Sequence, residues 1–120
     1  IRRWVGDDDR ATFDGEAAIG RIGGDRVFYA RALGRFVDRL DATVEGVVDL
    51  LRGADPSAAT GAAHSLKGSA ATLGAVRLAE SAYEIESATR NWSDFSDVDG
   101  LVTNLRAAVQ ATRAAAQPWL

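Results

Sequence analysis

The feature that most limits the fold is a long segment in which apolar residues recur every three or four positions. Because each helical residue turns the chain by about 100°, this spacing places them on one face of an α-helix. Asp25 is suited to cap its start and Gly53 to end it. The face consists of Phe28, Ala32, Leu33, Phe36, Val37, Leu40, Val44, Val47, Val48 and Leu51. Alternation typical of strands is nearly absent, so the sequence predicts an all-α fold.

Breaks rich in glycine, aspartate and proline divide the chain into five predicted helices. Asp55 followed by Pro56 marks one start, and Ser96 with Asp99 three residues later marks another. The predicted helices cover residues 14–22, 25–52, 56–74, 75–90 and 96–116. Because short connections favour antiparallel neighbours, we expect an antiparallel up-and-down four-helix bundle with a short additional N-terminal helix.

Composition limits the classes of function. The chain has 120 residues, of which 47% are hydrophobic and 26% charged, and this balance fits one globular domain. We expect residues 1–12 to be a linker or the tail of a preceding domain and residues 13–120 to form the bundle. The net charge of −3 argues against a nucleic-acid partner. The chain has no cysteine and no apolar run that could span a bilayer, so we expect a cytoplasmic domain without direct membrane contact.

His64, the only histidine, is predicted to face solvent. The opposite side of its helix is apolar and comprises Ala59, Ala62, Leu66, Ala70 and Leu73. Its own side carries one lysine and small residues, namely Thr60, Gly61, Lys67, Gly68 and Ala71. Each glycine within a helix costs about 1 kcal/mol relative to alanine. A helix that must let another protein approach the histidine has a reason to accept this cost.

An exposed histidine can act as a general base, a metal ligand or a nucleophile. We predict no metal site, because the chain has one histidine, no cysteine and no carboxylate one turn from His64. Ser65 and Ser69 point away from the ring, which argues against an acyl-transfer triad. A neutral imidazole can instead accept a phosphoryl group. The ammonium of Lys67, one turn away, can contact phosphoryl oxygens, and Gly68 leaves the ring uncrowded.

The sequence offers no site for ATP. Residues 20–24 contain three glycines but match neither a Walker loop nor a kinase glycine loop. No acidic cluster is suited to hold magnesium. We therefore expect a protein that is not itself an enzyme and needs no cofactor. If His64 is phosphorylated, the phosphoryl donor, the magnesium and most of the catalysis belong to a partner.

Residues 63–75, with the sequence AHSLKGSAATLGA, resemble the signature of the histidine-containing phosphotransfer (HPt) domain family. The family pattern is H-x-x-K-G, followed by small residues and by L-G at the helix end, and the similarity extends over residues 13–115. It implies a monomeric bundle that accepts a phosphoryl group from the aspartate of one receiver domain and passes it to another receiver. His64 then matches the phosphoacceptor, Lys67 the phosphoryl-stabilising lysine, and Gly68 the clearance glycine. Gly61 and Ala71 extend this cleared surface.

One further pair of residues acquires expected roles from the resemblance. Glu86 and Arg90 match positions where relatives orient the imidazole or touch the receiver. If Glu86 accepts a hydrogen bond from Nδ1 of His64, then Nε2 is the nucleophile. The alternative is a solvated ion pair between Glu86 and Arg90. Apart from the resemblance, we expect Ile19 or Ile22 to form part of an apolar receiver-docking patch beside His64.

Two alternative functions remain open. One is the phosphoacceptor domain of a chemotaxis-type kinase, which has a related H-S-x-K-G motif but departs from this chain at Ser69 and Leu73. The other is a helical adaptor that binds receivers without being phosphorylated.

Residues 1–5 resemble the tail that follows a receiver domain in hybrid sensor kinases. We therefore expect this chain to be the C-terminal module of a hybrid sensor histidine kinase. Magnesium is expected on the partner receiver.

Overall fold

A computed structural model describes residues 11–53, 55–92 and 97–120. Within this part, the helices are α1 (Gly15–Arg21), α2 (Arg26–Arg52), α3 (Pro56–Thr72), α4 (Val76–Arg90) and α5 (Val98–Ala116), followed by a 3-10 turn over Gln117–Trp119. Helices α2 to α5 pack in a closed ring, each against two neighbours. The prediction of an all-α four-helix bundle with a short additional helix is confirmed, and the described residues contain no strand.

Aspartate side chains cap four of these helices. Each accepts a hydrogen bond from the backbone N–H three residues later, and they are Asp14, Asp25, Asp55 and Asp97. The expected cap of the last helix by Ser96 and Asp99 is wrong. Asp97 makes that cap to the N–H of Gly100 at 2.8 Å, while Ser96 lies outside the described residues. A carboxylate at this position also interacts favourably with the helix dipole.

Gly74 joins the end of α3 to the start of α1. Its φ of 86° lies in the left-handed region, where a glycine meets no steric penalty. The backbone N–H of Asp14 donates to the carbonyl of Gly74 at 2.8 Å, and a Cβ at Gly74 would collide with the carbonyl of Asp14. The front helix is therefore fixed against the C-terminal end of the histidine helix.

Tyr29, and not Phe28, fills the core at the start of α2. Phe28 was expected on the apolar face but is 57% exposed, whereas Tyr29 is 1% exposed. The hydroxyl of Tyr29 donates to the carbonyl of Leu73 at 2.6 Å, and its ring meets Trp119 edge-on. Burial raises the pKa of Tyr29 to about 12. Helix geometry explains the difference, since at 100° per residue Tyr29 lies about 40° from the buried Leu33 and Phe28 about 140° from it. The hydroxyl of Tyr29 also satisfies a carbonyl at the end of α3.

Two further properties of the described part bear on function. None of its helices has the length and apolar character needed to cross a membrane. It also holds no group of three or more His, Cys, Asp or Glu side chains arranged to bind a metal ion. Residues 1–10, which make up most of the predicted linker, lie outside the described residues.

Candidate functional site

His64 lies in the middle of α3 with its ring facing solvent. Its side chain is 64% exposed, while Ala63 and Leu66 on the same helix are buried. The ring stands beside an open groove of about 700 Å³ between α2 and α3. Besides His64, this histidine groove is lined by Phe36, Ser65, Gly68, Ser69, Thr72 and Leu73. A partner can therefore reach the imidazole without any rearrangement of the bundle.

Glu86, on α4, holds the histidine ring from the side of the core. Its Oε2 atom lies 2.9 Å from Nδ1 of His64 and 2.7 Å from a terminal nitrogen of Arg90. Its Oε1 atom lies 2.7 Å from Nζ of Lys67. The glutamate side chain is only 1% exposed, whereas that of Arg90 is 61% exposed. Three nitrogen-bearing side chains therefore surround one buried carboxylate.

The charges around Glu86 determine which nitrogen of His64 carries the proton. The Lys67 ammonium lowers the pKa of Glu86 most, and the contacts with His64 and Arg90 lower it further, although burial acts in the opposite direction. Glu86 is therefore a carboxylate near neutral pH and can only accept hydrogen bonds. Nδ1 of His64 must donate, which leaves Nε2 of a neutral ring with a free lone pair.

Lys67 is held between Glu86 and an aromatic ring. Besides its salt bridge with Glu86, its Nζ atom lies 5.4 Å from the centre of the Tyr83 ring. The lysine side chain is 31% exposed, so its ammonium remains accessible beside the histidine. Tyr83 itself is 55% exposed and was not predicted from the sequence. Tyr83 lies three residues before Glu86, on the same side of the same helix, and this spacing could have predicted its place beside the site.

Gly61, Gly68 and Ala71 are all exposed on α3. A Cβ at Gly61 or Gly68 would meet no atom within 4 Å, so this chain's own packing requires glycine at neither position. The carbonyl of Ala71 accepts a hydrogen bond from Arg21 at 2.8 Å, which links α1 to the end of the histidine helix. These three residues therefore lie on an open face of α3, and their clearance role stays a prediction.

The expected docking patch on α1 requires a correction. Ile19 is 5% exposed and packs in the core, so it cannot form part of an exposed surface, and Ile22 is half-buried. Docking of α1 against the end of α3 turns Ile19 inward. Glu86 and Arg90 do form an ion pair, but the carboxylate is buried and also contacts His64, so it is not the solvated pair considered as an alternative.

A family model described as Hpt domain matches residues 31–115 of this chain. The match covers the C-terminal part of α2, all of α3 and α4, and nearly all of α5. It therefore includes His64, Lys67, Glu86 and Arg90. No curated protein and no solved structure gives a significant match.

Proposed function

Because the chain belongs to the Hpt domain family, whose members carry phosphoryl groups in two-component phosphorelays, we propose that His64 accepts a phosphoryl group from a receiver aspartate and passes it to a second receiver. The observation that carries this proposal is the pairing of an exposed imidazole with a buried carboxylate. Nδ1 of His64 lies 2.9 Å from Glu86, and this contact turns Nε2 outward. Such an arrangement suits a nucleophile that must meet a group on another protein.

The transfer step needs no proton movement on this chain. The lone pair of Nε2 attacks the phosphorus of the aspartyl phosphate, an N–P bond forms, and the O–P bond to the aspartate breaks. The aspartate leaves as a carboxylate. The ring keeps its Nδ1 proton and becomes positively charged, and the Glu86 carboxylate stabilises this charge as it develops. In the second transfer, a receiver carboxylate attacks the same phosphorus and the N–P bond breaks.

Lys67 is proposed to stabilise the transferred group. Lys67 lies one helical turn after His64. Its ammonium can therefore contact the oxygens of a phosphoryl group on the ring without a change in the fold. When Lys67 turns toward the phosphoryl group, Arg90 still pairs with Oε2 of Glu86 at 2.7 Å. The buried carboxylate therefore keeps a cationic partner throughout the reaction.

The remaining catalytic parts are assigned to the receivers. They supply the aspartate and the magnesium ion, and this chain acts as a monomeric carrier without a cofactor or an ATP site of its own. The exposed faces of Gly61, Gly68 and Ala71 let the receiver loops come close to the ring. Contacts of this transient kind are modest in area.

Incubation with phosphorylated receiver domains tests the proposal. Radioactive phosphate should move from the receiver to this chain, and the label should be stable to base, labile to acid and absent from His64→Gln. Ser57→Ala is the matched control, because this exposed hydroxyl on the same helix lies outside the histidine groove. Label that persists in His64→Gln would contradict the role of the histidine. Label obtained only from an ATP-dependent kinase domain would instead favour the phosphoacceptor domain of a chemotaxis-type kinase.

A further inference from the structure

Three arginines on α2 form an exposed stripe. Arg31, Arg35 and Arg39 are spaced four residues apart, so they lie one above another on the same side of the helix. All three side chains are exposed. Like charges at this spacing repel each other and cost the isolated helix a few tenths of a kcal/mol per pair. The interaction among the charges of this arginine stripe therefore does not stabilise α2.

In the part of the chain that the structure describes, the arginines of the stripe lack the partners that most other basic residues have. Within residues 11–53, 55–92 and 97–120, none of the three forms a salt bridge, and neither does the nearby Asp38. Apart from Arg77, every other basic residue in those ranges contacts a carboxylate or a backbone carbonyl, namely Arg21, Arg26, Arg52, Lys67, Arg90, Arg106 and Arg113. The unpaired positive charge of the described part is thus concentrated on one face.

The stripe borders the site of the proposed transfer. Arg35 and Arg39 line a groove of about 290 Å³ between α2 and α3. This arginine groove shares Phe36, Ser65 and Ser69 with the histidine groove, so the two are continuous. A partner seated over His64 therefore lies against the guanidinium groups as well.

We propose that the arginine stripe is a docking surface for the acidic face of the receiver that surrounds its aspartyl phosphate. This inference rests on the proposed function and deepens it by naming what guides the partner. An aspartyl phosphate in a magnesium-binding pocket is surrounded by carboxylates, and their charge complements the stripe. Since this chain carries a net charge of −3, an acidic partner would otherwise be repelled. Complementary patches of this kind act mainly on the rate of association.

Charge reversal tests the proposal on the receiver that transfers fastest to the wild-type chain. Arg39→Glu should lower the second-order rate of transfer about tenfold at low salt, and Arg35→Glu/Arg39→Glu should lower it further. The difference from wild type should shrink as salt is added, because screening removes the attraction. Arg77→Glu on α4 is the matched control. It changes the net charge as much as Arg39→Glu does, and Arg77 forms no salt bridge with another described residue and lines neither groove.

A small phosphodonor separates docking from chemistry. Phosphoramidate should phosphorylate His64 equally in wild type and in the double variant, since it needs no docking surface. Two results would overturn the stripe proposal and leave the proposed function intact. One is unchanged transfer from the receiver to the double variant, and the other is a loss in Arg77→Glu equal to that in Arg39→Glu. If the wild-type chain accepted phosphoryl from no receiver, the proposed function would fail and the stripe proposal with it.

Discussion

The Nδ1 atom of His64 lies 2.9 Å from Oε2 of Glu86, although the two residues are 22 positions apart and belong to different helices. The imidazole is 64% exposed and the carboxylate 1% exposed, so this contact joins the surface of the bundle to its interior. The interior end is fixed by packing and by the cations of Lys67 and Arg90. The exposed ring thereby acquires a defined orientation that solvent alone would not give it.

Glu86→Gln should slow phosphoryl transfer to His64 about tenfold or more, because a neutral amide stabilises the charged ring less well than a carboxylate. The substitution keeps the shape of the side chain, so the bundle should remain folded. Nitrogen NMR of the imidazole should also detect a smaller preference for the proton on Nδ1. Glu84→Gln, at an exposed position on the same helix, is the control. Wild-type rates in Glu86→Gln would show that the contact with His64 does not contribute to transfer.

Acid should weaken the bundle through Glu86. Its folded-state pKa is lowered, with Lys67 as the largest cause, so its pairing contributes fully above the ordinary value of 4.5. The contribution is lost as pH falls below that value through the folded-state pKa. Urea unfolding of wild type and Glu86→Gln between about pH 6 and pH 2 measures this loss. The stability difference between the two should shrink as pH falls, and a constant difference would contradict the assignment.

Gly68 should leave room for the partner at a cost in the stability of the domain. Gly68→Ala should stabilise the domain by about 1 kcal/mol, since the added Cβ meets nothing within 4 Å and alanine favours helix. Gly68→Gln should fold equally well but slow transfer from a receiver, because its side chain projects from the cleared face. Gly46→Gln on α2 is the control, since Gly46 is also exposed and uncrowded. Equal transfer rates in Gly68→Gln and wild type would rule out the clearance role.

Gly74→Ala should destabilise the bundle more than Gly23→Ala. The φ angle is 86° at Gly74 and 85° at Gly23, in the left-handed region where a Cβ costs about 1–2 kcal/mol. Only at Gly74 would the Cβ also collide with a backbone carbonyl, that of Asp14, whereas Gly23 has open space. The free energies of unfolding of the two variants, measured with denaturant, separate the cost of the φ angle from the cost of the collision with Asp14. Equal losses would mean that α1 can shift away from α3 without cost.

Tyr29, one of the two tyrosines, should ionise at a higher pH than an exposed tyrosine. Burial raises the pKa of Tyr29 to about 12, so its neutral form stabilises the fold below pH 10.0 and this contribution is lost as pH rises through 12. Absorbance of tyrosinate should show a late ionisation that disappears in Tyr29→Phe. That variant should also lose about 1 kcal/mol of stability, because the carbonyl of Leu73 loses its hydrogen-bond donor. Complete ionisation of the wild-type chain near pH 10 would contradict this burial.

Local spacing along the chain was sufficient to predict the helices and the exposure of His64. Helical periodicity places the apolar residues on one face, and the caps at Asp25 and Asp55 depend on neighbours within four residues. For the same reason the sequence placed Lys67 and Gly68 on the side of His64. Such features involve one helix at a time, so the order of residues determines them.

The remaining features of the fold and of the site depend on how the helices pack against one another. The contact of Glu86 with His64 depends on the rotation and register of α4 against α3, which spacing within either helix does not define. Ile19 is buried because α1 docks on the end of α3, where the N–H of Asp14 donates to the carbonyl of Gly74. The sequence therefore determined that a histidine would be exposed. The tertiary structure determined which carboxylate would hold it, because that depends on residues far apart in the chain.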